Sequence, residues 1–108
     1  MTDSSGKDNL RQLAEIDRVI HEPARLLIMA YLYVVESADF LFLERQTELT
    51  RGNLSSHLAK LEDAGYVKIK KEFVDKIPRT LLSLTATGRK AFKAYRDNMK
   101  KVLDELPG

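Results

Sequence analysis

TRGNLSSHLAKLEDAGYVKI, residues 50–69, decides how the rest of the chain is read. Leu54, Leu58 and Leu61 are spaced four and three residues apart, so they share one side of a helix. At about 100° per residue, Gly52, Asn53, Ser56, Lys60 and Asp63 fall roughly opposite that stripe. The N-terminal half of this outer face carries small, hydrogen-bonding side chains instead of the long charged ones of an ordinary solvated helix. Small side chains let a helix approach another surface closely, and Asn, Ser and Lys can bond base edges or phosphates. A surface helix with a polar face has the same periodicity, so the segment alone leaves both readings open.

Working outward, Thr50 is placed to N-cap this helix and Gly65 to end it. Tyr66–Phe73 then alternates, Val67 and Ile69 against Lys68 and Lys70, as a half-buried strand does. Val74–Arg79 holds a charge pair, a proline and no glycine, and reads as the loop at a hairpin tip. Thr80–Thr85 is the return strand, with Leu82 and Leu84 facing inward. Upstream, a short helix is predicted over Phe40–Thr47, followed by a tight turn through Glu48 and Leu49. Before it, ARLLIMAYLYVVES (24–37) is apolar round most of its circumference and is expected to be the central buried helix, with Pro23 in its first turn. Ser37–Asp39 is the connection that follows. A first helix is predicted over Leu10–Val19, with Leu10, Leu13, Ile16 and Ile20 on one side.

The last helix is predicted over Ala86–Leu106 behind Thr85. Phe92, Tyr95, Met99, Val102 and Leu106 recur every three or four residues, an a/d seam over two heptads. So regular a seam at the end of a small domain points to homodimerisation, and Leu10 and Leu13 are assigned to the same interface.

A chain of 108 residues supports one domain, read as residues 10–108 behind a flexible tail over residues 1–9. Hydrophobic content of 44% is that of a globular protein. The absence of cysteine excludes a disulfide framework and a thiolate metal site. His21 and His57 lie far apart and lack helical ligand spacing, so no metal and no cofactor are expected. No apolar run approaches the roughly 20 residues that span a bilayer, and MTDSSGKDN lacks the apolar core of a signal peptide. No membrane partner is expected, and a cytoplasmic location is the default. The net charge of +2 hides a split: residues 1–50 carry five Lys/Arg against nine Asp/Glu, and residues 51–108 carry thirteen against seven. One part of the chain is thus suited to face a polyanion.

Helix, helix, helix, helix, two-stranded hairpin, helix (α-α-α-α-β-β-α) is the order of a winged helix-turn-helix, a mainly α fold with a small β-hairpin. HEPARLLIMAYL (21–32), LTRGNLSSHLAKLEDAGYV (49–67), KIPRTLLSLTATGRKAF (76–92) and the amphipathic C-terminus carry a more specific likeness. The chain resembles the small winged-helix transcription regulators related to the MarR and ArsR families, over about residues 10–105. It departs from them in three places. Glu48 stands where members commonly place glycine in the helix-turn-helix turn, so that turn is expected to be wider or mildly strained. Leu81 stands where the second wing strand usually turns a polar or basic residue outward. The metal-binding residues of metal-sensing ArsR proteins are absent, so metal sensing does not carry over.

The resemblance implies that the helix over residues 50–64 enters the major groove of double-stranded DNA. Arg51, Gly52, Asn53, Ser56 and Lys60 would then meet base edges or the groove, with Thr50, Ser55 and His57 near phosphates. His57 lies on the flank of the helix, and a partly buried structural histidine accounts for it equally well; His21 reads as a local cap or surface residue. In the wing, Lys68, Lys70, Lys71, Lys76 and Arg79 supply positive charge, of which Lys68, Lys70, Lys76 and Arg79 are assigned to the DNA backbone or minor groove. Arg25 resembles a structural arginine, an internal ion-pair partner. Arg89, Lys90, Lys93, Arg96, Lys100 and Lys101 form either a second basic surface or the hydrated edge of the seam. A homodimer implies a pseudo-palindromic operator. The rival is a winged helix that binds protein and not DNA. An enzyme is not expected: no Ser-His-Asp arrangement, phosphate-cradling glycine loop or acid–base carboxylate pair is present. No effector pocket can be inferred.

Overall fold

The computed structural model describes residues 10–108, and the tail expected over residues 1–9 lies outside the described residues. In chain order the elements are α1 (Pro23–Val34), β1 (Ala38–Asp39), α2 (Phe40–Thr47), α3 (Arg51–Asp63), β2 (Val67–Val74), β3 (Ile77–Leu84) and α4 (Ala86–Glu105). Each helix begins on a side chain that takes up otherwise unpaired backbone N–H groups. Glu22 accepts from the N–H of Ala24 and of Arg25, each at 3.0 Å. Asp39 accepts from Phe42 at 2.7 Å, Thr50 from Asn53 at 3.2 Å and Thr85 from Gly88 at 2.9 Å. Each cap is worth about 1 kcal/mol. The end of α3 is a Schellman turn: Gly65 takes φ +80°, Tyr66 N–H donates to the Leu61 carbonyl, and Gly65 N–H to that of Glu62.

The leucine stripe of α3 is its buried face. Leu54, Leu58 and Leu61 join Ile28, Met29 and Leu32 of α1, Leu43 of α2, and Val67 and Leu82 of the sheet in one core. Burying side chains of this size contributes about 1.5–3 kcal/mol each. The sheet runs β1-β3-β2, antiparallel throughout. The fold is the winged helix read from the sequence.

Several boundaries differ from expectation. Residues 10–19 do not form a continuous helix; a 3-10 turn over Gln12–Glu15 gives way to extended backbone at Ile16. Asp17 is the reason: its carboxylate accepts from the N–H of Val19 and Ile20 at 2.9 and 3.1 Å, an alternative to helical bonding. Its second oxygen accepts the Tyr66 hydroxyl at 2.5 Å, which ties this segment to the base of the hairpin. That hydrogen bond, then burial, pushes the Tyr66 phenol up to about 12. The central helix α1 ends at Val34 and packs against α2, α3, α4 and β3, with Leu27 (39%) and Val34 (84%) left exposed along one side. Ser37–Asp39 is not a plain connection, since Ala38 and Asp39 pair with Leu82 and Leu81.

The hairpin tip is tighter than the expected loop over residues 74–79. The strands continue to Val74 and Ile77, and only Asp75 and Lys76 turn. Both have positive φ, 51° and 68°, as a two-residue I′ turn demands, and neither is glycine. Pro78 is tolerated in β3 because β1 pairs only with Leu81 and Leu82, leaving the strand edge open further out. In the helix-turn-helix turn, Glu48 adopts φ 57° in the left-handed region, a strain of about 1 kcal/mol that glycine would not carry. Among the described residues no helix is long and apolar enough to cross a membrane.

Candidate nucleic-acid interface

With its leucines turned inward, α3 presents Arg51, Gly52, Asn53, Ser55, Ser56 and Lys60 to solvent. Thr50 is exposed too, although its hydroxyl is engaged by the Asn53 N–H. The free N–H groups and positive dipole end of this helix face the same surroundings as Arg51 and Asn53. Arg51 is held in place: it lies 3.5 Å from Glu44 of α2, and its guanidinium sits 5.7 Å from the centre of the Phe40 ring.

His57 turns away from this face. Its Nδ1 lies 3.3 Å from Arg25 Nη1 and 3.4 Å from Glu22 Oε2, and its side chain is only 20% exposed. Arg25 also donates to the carbonyls of Val19 (2.6 Å) and Arg18 (3.4 Å), so it acts as the internal partner its resemblance suggested. Burial alone would raise the Glu22 carboxyl. The N–H bonds from Ala24 and Arg25 and the charges of His57 and Arg25 outweigh it and hold the group below its ordinary value. This cluster fastens the start of α1 to the middle of α3.

Strand register sorts the wing cations onto two faces. Lys68, Lys70 and Glu72 lie opposite Ser83, Leu81 and Arg79 on the face away from the core. Lys71 and Phe73 lie opposite Thr80 and Pro78, on the face that further in carries Ile69 and Leu82. Lys71 and Thr80 therefore share a cleft with Arg51 and Ser55 of α3. A larger cleft, about 520 Å³, separates Arg51 from Val74, Ile77 and Arg79 of the wing. Arg79 lies 3.5 Å from Asp39 and Lys70 lies 3.7 Å from Glu72, whereas Lys76 occupies the turn itself. Leu81 is half-buried between Asp39 and Lys70. Lys71 is thus the strand lysine that shares a cleft with α3, a place its parity with Ile69 could have disclosed.

The seam of α4 is divided. Tyr95 and Val102 are buried within the same chain, Phe92 and Met99 are half-buried, and Leu106, Leu10 and Leu13 are exposed. Burial raises the Tyr95 phenol, whose oxygen is 2.8 Å from His21 Nδ1. Leu103, which the heptad count left out, is 57% exposed and borders an apolar groove with Leu26, Phe92, Met99 and Lys100. Arg89 packs over the Tyr33 ring at 5.0 Å and donates to the Tyr33 carbonyl, so at least this α4 cation covers an aromatic edge. Among the described residues no group of three or more His, Asp or Glu could hold a metal ion.

Residues 24–103 match the winged helix DNA-binding domain family. The chain is 38% identical over 78 residues to an uncharacterized protein of Methanocaldococcus jannaschii, which spans 72% of this chain and 85% of that one. Its fold superposes on a transcriptional regulator homologue from Pyrococcus horikoshii with TM-score 0.83 and 33% identity, covering 90% of this chain and 95% of the other. NadR in complex with 4-hydroxyphenylacetate gives TM-score 0.68 at 26% identity, over 94% of this chain and 67% of NadR. The chain belongs to the winged helix DNA-binding domain family.

Proposed function

We propose that residues 10–108 act as one domain that binds double-stranded DNA sequence-specifically as a homodimer and so regulates transcription. In this reading α3 lies in the major groove, and the wing follows the backbone into the neighbouring minor groove. The outer face of α3 carries the proposal: Arg51, Asn53, Ser55, Ser56 and Lys60 stand exposed on a helix fixed from behind by three buried leucines. A groove about 12 Å wide admits such a helix, and these side chains are of the kinds that read base edges and phosphates. Lys71 joins Ser55 and Arg51 on the groove side, and Lys76 and Arg79 extend the positive surface outward. Lys68 and Lys70 are set to meet backbone only from the far side of the wing. His57 contributes by positioning α3, with its ring turned to Glu22 and Arg25.

The dimer is proposed to form where α4 exposes Leu103 and Leu106 beside Met99 and Phe92, with Leu10 and Leu13 at its margin. Tyr95 and Val102 support that surface from within. Two-fold symmetry then implies a pseudo-palindromic operator with half-sites about one helical turn, ~34 Å, apart.

Duplex binding measured across salt tests the reading. Each phosphate contact adds about −0.9 to the slope of log affinity against log salt. Replacing Ser56 and Lys60 together by alanine should abolish discrimination between selected and random duplexes while circular dichroism stays native. Full discrimination in that variant would refute α3 as the reader. Exposed Leu41 and Ile77 favour the rival, a protein-binding module, which predicts flat salt dependence.

A further inference from the structure

The end of the wing is built of apolar side chains, not of the cations alone. Phe73 is 75% exposed and Ile77 66%, with Val74 and Pro78 also open to solvent. Phe73 and Pro78 are direct cross-strand partners, one pair beyond Lys71 and Thr80 on the face that looks toward α3. An aromatic side chain paired in register with a proline near the tip of the arm gains nothing for the fold from its exposure, since the core ends at the Ile69–Leu82 pair.

Two observations select the occupant. The first is charge: Lys71 shares the face of the apolar pair and Lys76 occupies the turn beside it, so the pair is presented next to cations suited to phosphates. The second is reach. Phe73–Pro78 and Val74–Ile77 lie four and five residues beyond Ile69–Leu82, which at about 3.3–3.4 Å per residue puts the pair about 13 Å and the tip about 17 Å out from the core. Half a turn of B-DNA is also about 17 Å, the step from a major groove to the flanking minor groove. Minor-groove proteins that bend DNA insert Phe, Ile or Pro between base steps while Arg or Lys meets the groove beside them.

We propose that Phe73, backed by Pro78, is a wedge that enters the minor groove flanking each α3 contact and partly unstacks one base step there. The proposal rests on the DNA-binding reading above and adds to it a specificity element without base hydrogen bonds. Pyrimidine–purine steps unstack most easily, so the protein should favour TA or CA/TG about five base pairs from the centre of each half-site.

The test is selection of duplexes from a random pool by the wild-type protein and by Phe73→Ala. Individual selected duplexes are then compared with versions in which the flanking step is changed to AA. Phe73 is solvent-exposed, so the variant should keep native circular dichroism and an unchanged salt slope. The wild type should prefer the flexible step by roughly tenfold and F73A by close to onefold, with the central sequence preference retained in both. A 2-aminopurine placed at the flanking step should brighten on binding wild type and stay quenched with F73A. Equal flank preference in the two proteins, or a dark probe with wild type, overturns the wedge and leaves the apolar tip to a protein partner. If the wild type enriches no sequence at all, the failure lies with the DNA-binding reading itself.

Discussion

Replacing Gly88 by alanine drives a methyl carbon to 2.0 Å from the Tyr66 carbonyl oxygen and 2.8 Å from the Tyr66 C and Cα atoms. The obstacle is backbone, so no rotamer change relieves it. Tyr66 cannot retreat cheaply, because its N–H is bonded to the Leu61 carbonyl at 2.9 Å and its own carbonyl accepts from Thr85 at 3.0 Å. Thr85 Oγ1 also donates to the Gly65 carbonyl at 2.6 Å. Alanine would gain about 1 kcal/mol of helix propensity. Against that stand about 1–3 kcal/mol of overpacking and about 1 kcal/mol for each hydrogen bond broken as α4 moves off the hairpin base. The net loss is about 2–4 kcal/mol, or roughly 10–25 °C in Tm for a domain of this size. Gly52→Ala is the internal control: nothing lies within 4 Å of its added carbon, and the same helix preference should stabilise by about 1 kcal/mol. Thermal melts of the two variants followed by circular dichroism should therefore move in opposite directions. A G88A melt within about 3 °C of wild type would refute the close-approach argument.

Glu22→Gln should destabilise the protein at neutral pH and matter less in acid. Because folding lowers the Glu22 pKa from 4.5, its contribution is present above that value and disappears as pH falls through the folded one. Denaturant midpoints of wild type and variant should accordingly converge between neutral pH and acid, and a constant gap would contradict the linkage. Tyr66 has the opposite sense: its raised pKa gives stability that is complete below 10 and lost as pH climbs through about 12. Tyr66→Phe should cost about 1–2 kcal/mol and delete the late tyrosinate step from an ultraviolet titration; an unaltered titration would place that proton elsewhere. Leu103→Asp should convert the proposed dimer to folded monomers in sedimentation, because Leu103 serves no role in the buried core. A dimer that survives would move the interface off this side of α4.

Legibility tracked how many local signals agreed. For α3, period, Thr50 cap and Gly65 C-cap coincide, so its extent and buried face could be read directly. Residues 10–19 had period alone, and one competing carboxylate, Asp17, was enough to undo the helix. The two-residue β1 has no period to read, and the I′ turn lacked the glycine that normally announces it. Alternation correctly grouped Lys68 with Lys70, and the same alternation, carried one step further, puts Lys71 with Val67 and Ile69 on the side that faces α3. By contrast, heptad spacing found the α4 seam without saying that Tyr95 and Val102 would be claimed by their own chain. His57 was ambiguous because its alternatives lay 32 and 35 residues away, at Arg25 and Glu22.

The fastening of α1 to α3 through that trio has a genetic corollary. If α3 reads an operator as proposed, a search for alleles that lose its control should also return hits at positions 22 and 25, because slackening the anchor lets the proposed reading helix drift. Such alleles would weaken every operator alike, whereas true contact alleles would each spare some sites, so a panel of promoters can sort supports from readers without a co-crystal.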